Sequence, residues 1–438
     1  MKRSRTTSKG QKTVALLVET SRAYGRGICR GVARFAEQHP DWMILYQERN
    51  LKESIPEFLR KYRVDGILMR VDQPSVARKI VSLGIPTVDL LGARVEGGCP
   101  AFLPDDVAIA ATATDHLLNN GFVYFAFCGL SGIPFSDTRQ RGFAESLGKF
   151  GFRALNYPHR AKHFGEILRA EEHGFLEIGS IAKWLKSLPK PVAVFACNDV
   201  RALQVVQACH LIDCAVPDEV AVLGVDNDEI ITELCHPKLT SIEPNTLSSG
   251  YKACLCLDRM MNRSKPGSFL DRTAPVGVIE RDSTNIIATT DKLLASALHE
   301  IRDRACDGLT VKNLLDHLHI SRTHLEAKFK KAIGRTIHDE ITRVRLKRVC
   351  QLLYSGDDTL VTIARKSGYL DISHLSRLFR KNFDVWPGEY RKRARVGFAA
   401  DSRLATGPRS SESEGERFPV RGTGESAKPN LTARIVVE

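Results

Sequence analysis

From Thr13 to about residue 285 the chain repeats one pattern: a short apolar run, then a segment whose apolar residues recur at helical spacing. VALLV is followed by a helix over 25–38, WMILY by one over 53–62 and GILM by one over 75–83, and PTVDLL closes the set. A second set opens after Pro104-Asp105 with a helix to residue 120, then FVYFAFCGL and a helix over 138–150. RALNY and a helix over 181–187 lead to VAVFAC, a helix over 200–210, VAVLGV and a last helix over 247–261. Strands separated by helices pair through crossovers, which gives parallel sheets covered on both faces. Two successive sets predict two lobes with a cleft between them, and in such sheets ligands sit at the carboxyl ends of the strands.

That rule selects residues. VALLV ends at Glu19 and the loop 20–26, which carries Tyr24 and Arg26, and FVYFAFCGL leads to Arg139 and Arg141. VAVFAC ends in Asn198-Asp199 and VAVLGV in Asp226-Asn227-Asp228. Carboxylates, amides and guanidinium groups gathered at strand ends suit a polyhydroxylated ligand, because each hydroxyl both donates and accepts. The same residue types cap helices that follow strands. Capping is the stronger reading for Asp199, and chemistry alone leaves Asn198 and Asp226 open between the two.

A different pattern follows. The connector 286–297 is short and has no Gly/Pro-rich run, so it can transmit motion between its neighbours. A helix over 295–305 leads into a helix pair in which Thr310 caps 311–318 and Ser321 caps 322–332. Leu325 and Phe329 point inward there, with Arg322, Thr323, Glu326 and Lys330 on the other face. A long helix over 337–354 carries Arg343, Arg345, Lys347 and Arg348.

Residues 359–391, TLVTIARKSGYLDISHLSRLFRKNFDVWPGEYR, form a second pair. Leu360, Ile363 and Ala364 share one face, Gly368 supplies a turn at positive φ, and Asp371 caps the next helix. Leu375, Leu378, Phe379 and Phe383 make its apolar stripe, opposite Ser373, Ser376, Arg377 and Arg380. A helix held by its neighbour, with arginines and hydroxyls outward, suits the major groove of double-stranded DNA. For any one of these side chains the bland alternative is a solvated surface.

Charge supports the sharper reading. Of the net +13, residues 1–12 carry +5 and 291–395 carry +9, whereas 13–290 sum to −1 and 396–438 to zero. A near-neutral region followed by a basic module is the footprint of a nucleic-acid-binding appendage. Residues 1–12 and 396–438 read as disordered tails. No apolar run reaches the ~18–20 residues that span a bilayer, and the opening basic stretch lacks a signal-peptide core, so no membrane is implied. Eleven scattered cysteines without framework spacing argue for reduced thiols in a cytoplasm. Cys254-x-Cys256 is too tight for a zinc pair and Cys209-His210 has no partner set, so neither metal nor cofactor is assigned. The alternative is an α/β sugar-metabolising enzyme with a basic appendage. Against it, Gly25-Arg26-Gly27 lacks the third glycine of a dinucleotide loop, and no phosphate-binding or nucleophile-elbow motif occurs. No catalytic residue is assigned. A secreted solute receptor is disfavoured by the basic module.

Two resemblances sharpen these expectations. The second helix pair resembles the signature of the AraC/XylS family of transcription regulators at Ile363-Ala364, Gly368-Tyr369, Ser373, Leu375, Arg377, Phe379-Arg380, Pro387 and Tyr390-Arg391. It departs at Asp384 and Trp386, where the family usually has Gly and Thr/Ser. Residues 13–285 resemble the periplasmic-binding-protein-like ligand domain of the LacI/GalR type, through LPDDVAIAATATDHLLNNGF, FACNDVRAL, PDEVAVLGVDNDE and SSGYKACLCLDRM. Regulators of that type carry their DNA-binding headpiece first, and only the basic tail stands there in this chain.

The two resemblances cover 13–395 and imply a fold: an α/β two-lobed periplasmic-binding-protein-like domain over 13–285, then an all-α DNA-binding domain with two helix-turn-helix units over 298–395. They imply sugar contacts at Arg141, Asn198 and Asp226, with Asp105, Tyr24 and Arg26 as weaker candidates. Base reading falls at Arg322, Thr323 and Glu326 in the first unit and at Ile372, Ser373, Ser376 and Arg377 in the second. Ser321, Lys330 and Arg380 would meet phosphates. The implied function is a sugar-responsive transcription regulator, an activator acting with RNA polymerase as a homodimer. The implied sugar, on resemblance alone, is a pentose, D-xylose.

Overall fold

The computed structural model describes residues 11–48, 57–92, 99–158, 167–262, 267–286, 289, 291–333, 335–355 and 358–396. The tails expected at 1–12 and 396–438 lie almost wholly outside these residues, but Lys12 already belongs to the first strand.

The first lobe contains β1 (Lys12–Leu17), α1 (Ala23–Gln38), β2 (Trp42–Tyr46), α2 (Phe58–Lys61), β3 (Gly66–Met69), α3 (Pro74–Val81), β4 (Thr87–Asp89) and β5 (Ala101–Pro104). The chain then crosses into the second lobe through α4 (Asp106–Asn119), β6 (Tyr124–Cys128), α5 (Pro134–Gly148), β7 (Ala154–Asn156), α6 (Ile167–Leu176) and α7 (Ile178–Ser187). That lobe continues with β8 (Val192–Ala196), α8 (Asp199–His210), β9 (Val220–Val225), α9 (Glu229–Leu234) and β10 (Thr240–Glu243). It crosses back for α10 (Thr246–Met261) and β11 (Leu270–Thr273), and returns once more for β12 (Gly277–Ile279).

The sheet orders are β11-β5-β4-β3-β1-β2 and β12-β10-β9-β8-β6-β7. Every pairing is parallel except β12 with β10, which is antiparallel because β12 enters from the other lobe without an intervening helix. Period-two alternation builds each three-layer lobe. Val14, Leu16 and Val18 pack on the α1/α10 side, whereas Ala15 and Leu17 pack with Leu59, Ala77 and Ile80 on the other. In the second lobe Phe125, Phe127 and Phe195 meet the α4/α5 side, and Ala126, Val194 and Ala196 the α7/α8 side.

The 247–261 helix, expected in the second set, belongs instead to the first lobe. α10 lies on the first lobe, where Ala253, Cys254 and Leu257 are buried against β1 and α1. The lobes are therefore interleaved through three crossovers. The helix expected over 53–62 is described only as Phe58–Lys61, the rest lying outside the described residues.

The remaining helices are α11 (Lys292–Arg304), α12 (Val311–Leu318), α13 (Arg322–Ile333), α14 (Ile337–Ser355), α15 (Leu360–Lys366), α16 (Ile372–Phe383) and α17 (Pro387–Val396). α11 starts earlier than the 295 expected, because Asp291 caps it through the amides of Leu293 and Leu294, both at 3.1 Å. α14 serves two cores. Ile337, Ile341 and Val344 join Leu314, Leu325 and Phe329 in the first, and Leu346, Val349 and Leu353 join Ile363, Leu375 and Phe379 in the second. Among the described residues no helix is long and apolar enough to cross a membrane. All eleven cysteines are free.

Candidate ligand cleft and DNA-reading face

The carboxyl ends of β1 and β3 face those of β6, β8 and β9 across the cleft. Contacts from the loop after β1 and from Asp72 tie the lobes together. Arg22 pairs with Glu171 of α6 at 2.7 Å, and Arg26 Nη2 stands 2.9 Å from both carboxylate oxygens of Asp228. The Ala23 amide donates to Asp228 Oδ2 at 2.9 Å, and the Ile167 amide to Asp72 Oδ2 at 2.8 Å.

On the first-lobe wall Tyr24 is 8% exposed and lies beneath Arg70, whose guanidinium is 4.5 Å from its ring centroid. Arg70 is paired with the buried Glu19, yet Glu19 Oε2 and Arg70 Nε have no hydrogen-bond partner. On the second-lobe wall Arg139 donates to Asp106 Oδ1 at 2.8 Å and to the carbonyl of Cys197. Asn198 caps α8, its Oδ1 accepting from the Arg201 amide at 2.9 Å, and its Nδ2 donates to Glu171 Oε1 at 2.8 Å. Asp226 sits at φ 107°, a conformation that L-residues rarely adopt and that concentrates at functional sites.

Burial pushes Asp226 up to about 7, with Glu171 and Glu243 raising it and Arg139 and Arg70 opposing. Burial likewise pushes Glu243, at the second crossover, up to about 7 against its hydrogen bonds from Asn227 and the Asn245 amide. An acid whose folded pKa lies above its unfolded one holds its proton longer when folded. Its contribution therefore falls as pH rises from about 4 through about 7. Asp199 and Asp106, also raised by burial, act in the same direction, whereas His116, whose pKa burial lowers, works the other way below about 6.5 as one group against several. The melting temperature of the sugar-free protein is expected to fall from pH 5 to pH 8, and Asp226→Asn with Glu243→Gln to flatten the profile. A melting temperature that rises over this interval would overturn the assignment.

The other expected residues divide. Asp105 caps α4, accepting from the amides of Val107 at 3.1 Å and Ala108 at 3.0 Å. Arg26 spans the lobes as described. Arg141 is exposed and reaches Thr138 Oγ1 at 3.5 Å, so Arg139 is the α5 arginine that the fold brings to the cleft. The physical reason was available: positions 139, 143 and 147 share a helical face, and Phe143 and Leu147 are its core residues. Arg70 was also reachable, since it directly follows the strand GILM. Glu171 was not, because its helix had not been predicted. Asp199 is the structural carboxylate, accepting from Ser241 Oγ at 2.6 Å and the Asp228 amide at 2.8 Å.

In the helical module the caps read from sequence form. Thr310, Ser321 and Asp371 accept from the Asn313, His324 and Ser373 amides at 3.2, 3.4 and 2.9 Å, and Thr359, which was not among them, accepts from the Thr362 amide at 3.2 Å. Gly368 turns at φ 75°, and a Cβ there would lie 2.9 Å from the carbonyls of Ala305 and Cys306. Ser321, Arg322, Thr323, Lys330, Ser373, Arg377 and Arg380 are exposed, and Ser376 is half-buried. Arg380 stacks 4.7 Å over Trp386, the residue that departs from the family pattern. Asp384, the other departure, takes φ 59°, the left-handed helix-terminal conformation in which glycine is favoured. Two expected base readers are engaged inward: Ile372 packs on the second core, and Glu326 Oε2 accepts from the Ile337 amide at 3.3 Å. Arg345 faces the protein, donating to the carbonyls of Ala305 at 2.8 Å and Leu309 at 3.0 Å.

Residues 114–284 match a periplasmic binding protein-like domain, and residues 314–393 a helix-turn-helix domain. The xylose operon regulatory protein of Haemophilus influenzae is 30% identical over 386 residues, covering 86% of this chain and 97% of that protein. Its namesake from Escherichia coli strain K12 is 28% identical, covering 86% and 96%. The solved structure of a xylose-binding transcription activator superposes with a TM-score of 0.60 at 27% identity, covering 87% of this chain and 98% of that one. A LacI family transcriptional regulator from Enterococcus faecium with bound ribose matches 64% of this chain at 22% identity and a TM-score of 0.50, a likeness of fold alone. These matches run through both the two-lobed domain and the helix-turn-helix module of this chain, and the chain belongs to the family of the xylose operon regulatory proteins: it is a sugar-responsive, DNA-binding transcription regulator.

Proposed function

We propose that the cleft takes D-xylose or a closely similar pentose, and that its occupancy sets operator binding by a homodimer that activates transcription through RNA polymerase. The observation that carries this reading is the cleft itself, with Tyr24 and Arg70 on one wall, Arg139, Asn198 and Asp226 on the other, and Glu19 Oε2 and Arg70 Nε buried without hydrogen-bond partners. Sugar hydroxyls can both donate to the carboxylate and accept from the guanidinium. The names of the relatives supply the pentose. The ligand domain over 13–285, the connector over 286–297 and the DNA module over 298–395 are the units of this reading. A sugar shifts DNA affinity only by as much as it prefers one lobe arrangement over the other.

The test is operator affinity measured with and without saturating xylose, arabinose, ribose and glucose. Affinity that none of the pentoses changes would sink the proposal. A turnover assay on the same sugars is expected to give no product, since neither the relatives nor the motifs favour catalysis.

The DNA face makes a separate prediction. Arg377, exposed midway along α16, is assigned to a guanine edge, with Arg322, Thr323, Ser373 and Ser376 beside it in role and Ser321, Lys330 and Arg380 on phosphates. Arg377→Ala should cost about 1–3 kcal/mol and relax specificity at one base pair. Equal loss across all operator variants would reassign Arg377 to the backbone.

A further inference from the structure

The second lobe is bolted to the DNA module at the end of its sheet away from the cleft. One point is Glu280, which follows β12: its carboxylate stands 2.6 Å from Lys347 Nζ of α14, and Lys347 also donates to Asn285 Oδ1 at 3.0 Å. The other is Asp218, which precedes β9. Its two oxygens accept from Arg302 of α11 at 3.0 and 3.3 Å, a bidentate pairing. Between them lies a cavity of about 90 Å³ lined by Pro191, Ile286, Leu298, Glu340 and Val344.

Neither cation is free to wander. Lys347 is 13% exposed and Glu280 26%, so that pair is largely shielded from salt, whereas Arg302 is 16% exposed and its partner Asp218 41%, which leaves the second pair open to solvent on its acidic side. Burial alone would raise Glu280, but Lys347, His116 and Arg343 hold it at about 2. The contact also continues inward. His116 lies 3.5 Å from Glu280 and 2.9 Å from Thr284 Oγ1, which in turn donates to Thr240 Oγ1 of β10 at 2.9 Å. β10 pairs with β9, whose far end carries Asp226. One rigid sheet therefore has the cleft at one end and the module at the other. α14, the helix gripped there, supplies both helix-turn-helix cores.

We propose that the second lobe and the DNA module move as a single body, locked by Glu280–Lys347 and Asp218–Arg302, so that lobe closure swings both readers together against the first lobe. The sugar arm of this inference rests on the regulatory reading above, and the lock itself does not.

The test uses the full chain with fluorophores at exposed Lys149 of the second lobe and Lys381 of the module, introduced as unnatural residues, and single-molecule energy transfer between them. The wild type should give one narrow distribution with or without xylose. Lys347→Glu with Arg302→Glu should broaden it and reduce the sugar-dependent change in operator affinity at least fivefold, leaving xylose affinity within twofold. Glu280→Lys with Asp218→Arg added to that variant should restore both. Lys347→Met with Arg302→Met covers the case in which reversal prevents folding. A distribution as narrow in the folded variants as in the wild type overturns the lock. Wild-type operator affinity indifferent to xylose, with the broadening still seen, overturns the regulatory reading and leaves the lock standing.

Discussion

Gly31→Ala is expected to destabilise the ligand domain by about 3 kcal/mol, although alanine is the better helix former by about 1 kcal/mol. The sign is set by how closely α1 and α10 cross. A Cβ on Gly31 would lie 2.2 Å from the carbonyl oxygen of Leu247 and 2.9 Å from the Tyr251 amide nitrogen, and one on Gly250 would lie 2.4 Å from the carbonyl oxygen of Ile28. Gly27 is less severe, because its 1.9 Å neighbour, Thr246 Oγ1, is a side-chain atom that can rotate. At Gly31 the obstacles are backbone, so the helices themselves must separate. Separation loosens the packing of Ile28, Val32, Phe35, Cys254 and Leu257. It also disturbs function, since α1 begins in the loop that pins the lobes and α10 begins at the second crossover. Gly179→Ala in α7 is the control: a Cβ there meets nothing within 4 Å, and the change should be neutral or stabilising by up to about 1 kcal/mol. Denaturant unfolding of both variants measures the contrast. Equal midpoint shifts would show that the close crossing is not what requires glycine.

The same crossing marks the limit of what the amino-acid order revealed. Alternating apolar runs located most of the longer strands, because a strand buried on both faces is a continuous apolar word. Helix caps and the turn at Gly368 were equally legible, since their signals are local. The interleaving of the lobes was not. β5, β10, β11 and β12 are three or four residues long and carry no periodic signal, and whether α10 lies on one sheet or the other is decided by its glycine contact with α1. The cleft was half legible for a related reason. Asn198 and Asp226 end long strands and were selected directly. Choosing Arg139 over Arg141 needed the helical face of α5, and Glu171 needed a helix whose pattern of Ile167, Ala170 and Leu176 is too sparse to stand out. On the module, the basic arginines read as one population, yet Arg345 and Arg343 bind protein groups while Arg377 is exposed.

Phe379→Ala is expected to melt the second helix-turn-helix unit and leave the first folded. Phe379 is fully buried, with ring contacts to Phe383 at 4.5 Å and Tyr390 at 5.4 Å, and its truncation should cost about 3–5 kcal/mol. Among the described residues the second core is drawn only from α14, α15, α16, α17 and the turns between them, and a unit so small holds no more than a few kcal/mol in reserve. The first core draws on α11 as well, and α11 and α14 are gripped by Asp218 and Glu280 of the second lobe. A defect in the second core therefore has a boundary to stop at, within α14 between Val344 and Leu346. Hydrogen exchange should show residues 358–396 losing protection while 292–341 keep theirs. Operator affinity should fall with a shallower salt dependence, because the phosphates met by Arg380 and its neighbours are no longer neutralised. Phe329→Ala, made in the first core, should instead spread its loss into α11. If Phe379→Ala strips protection from both cores together, α14 couples them into one cooperative unit, and the two readers fold and fail as one.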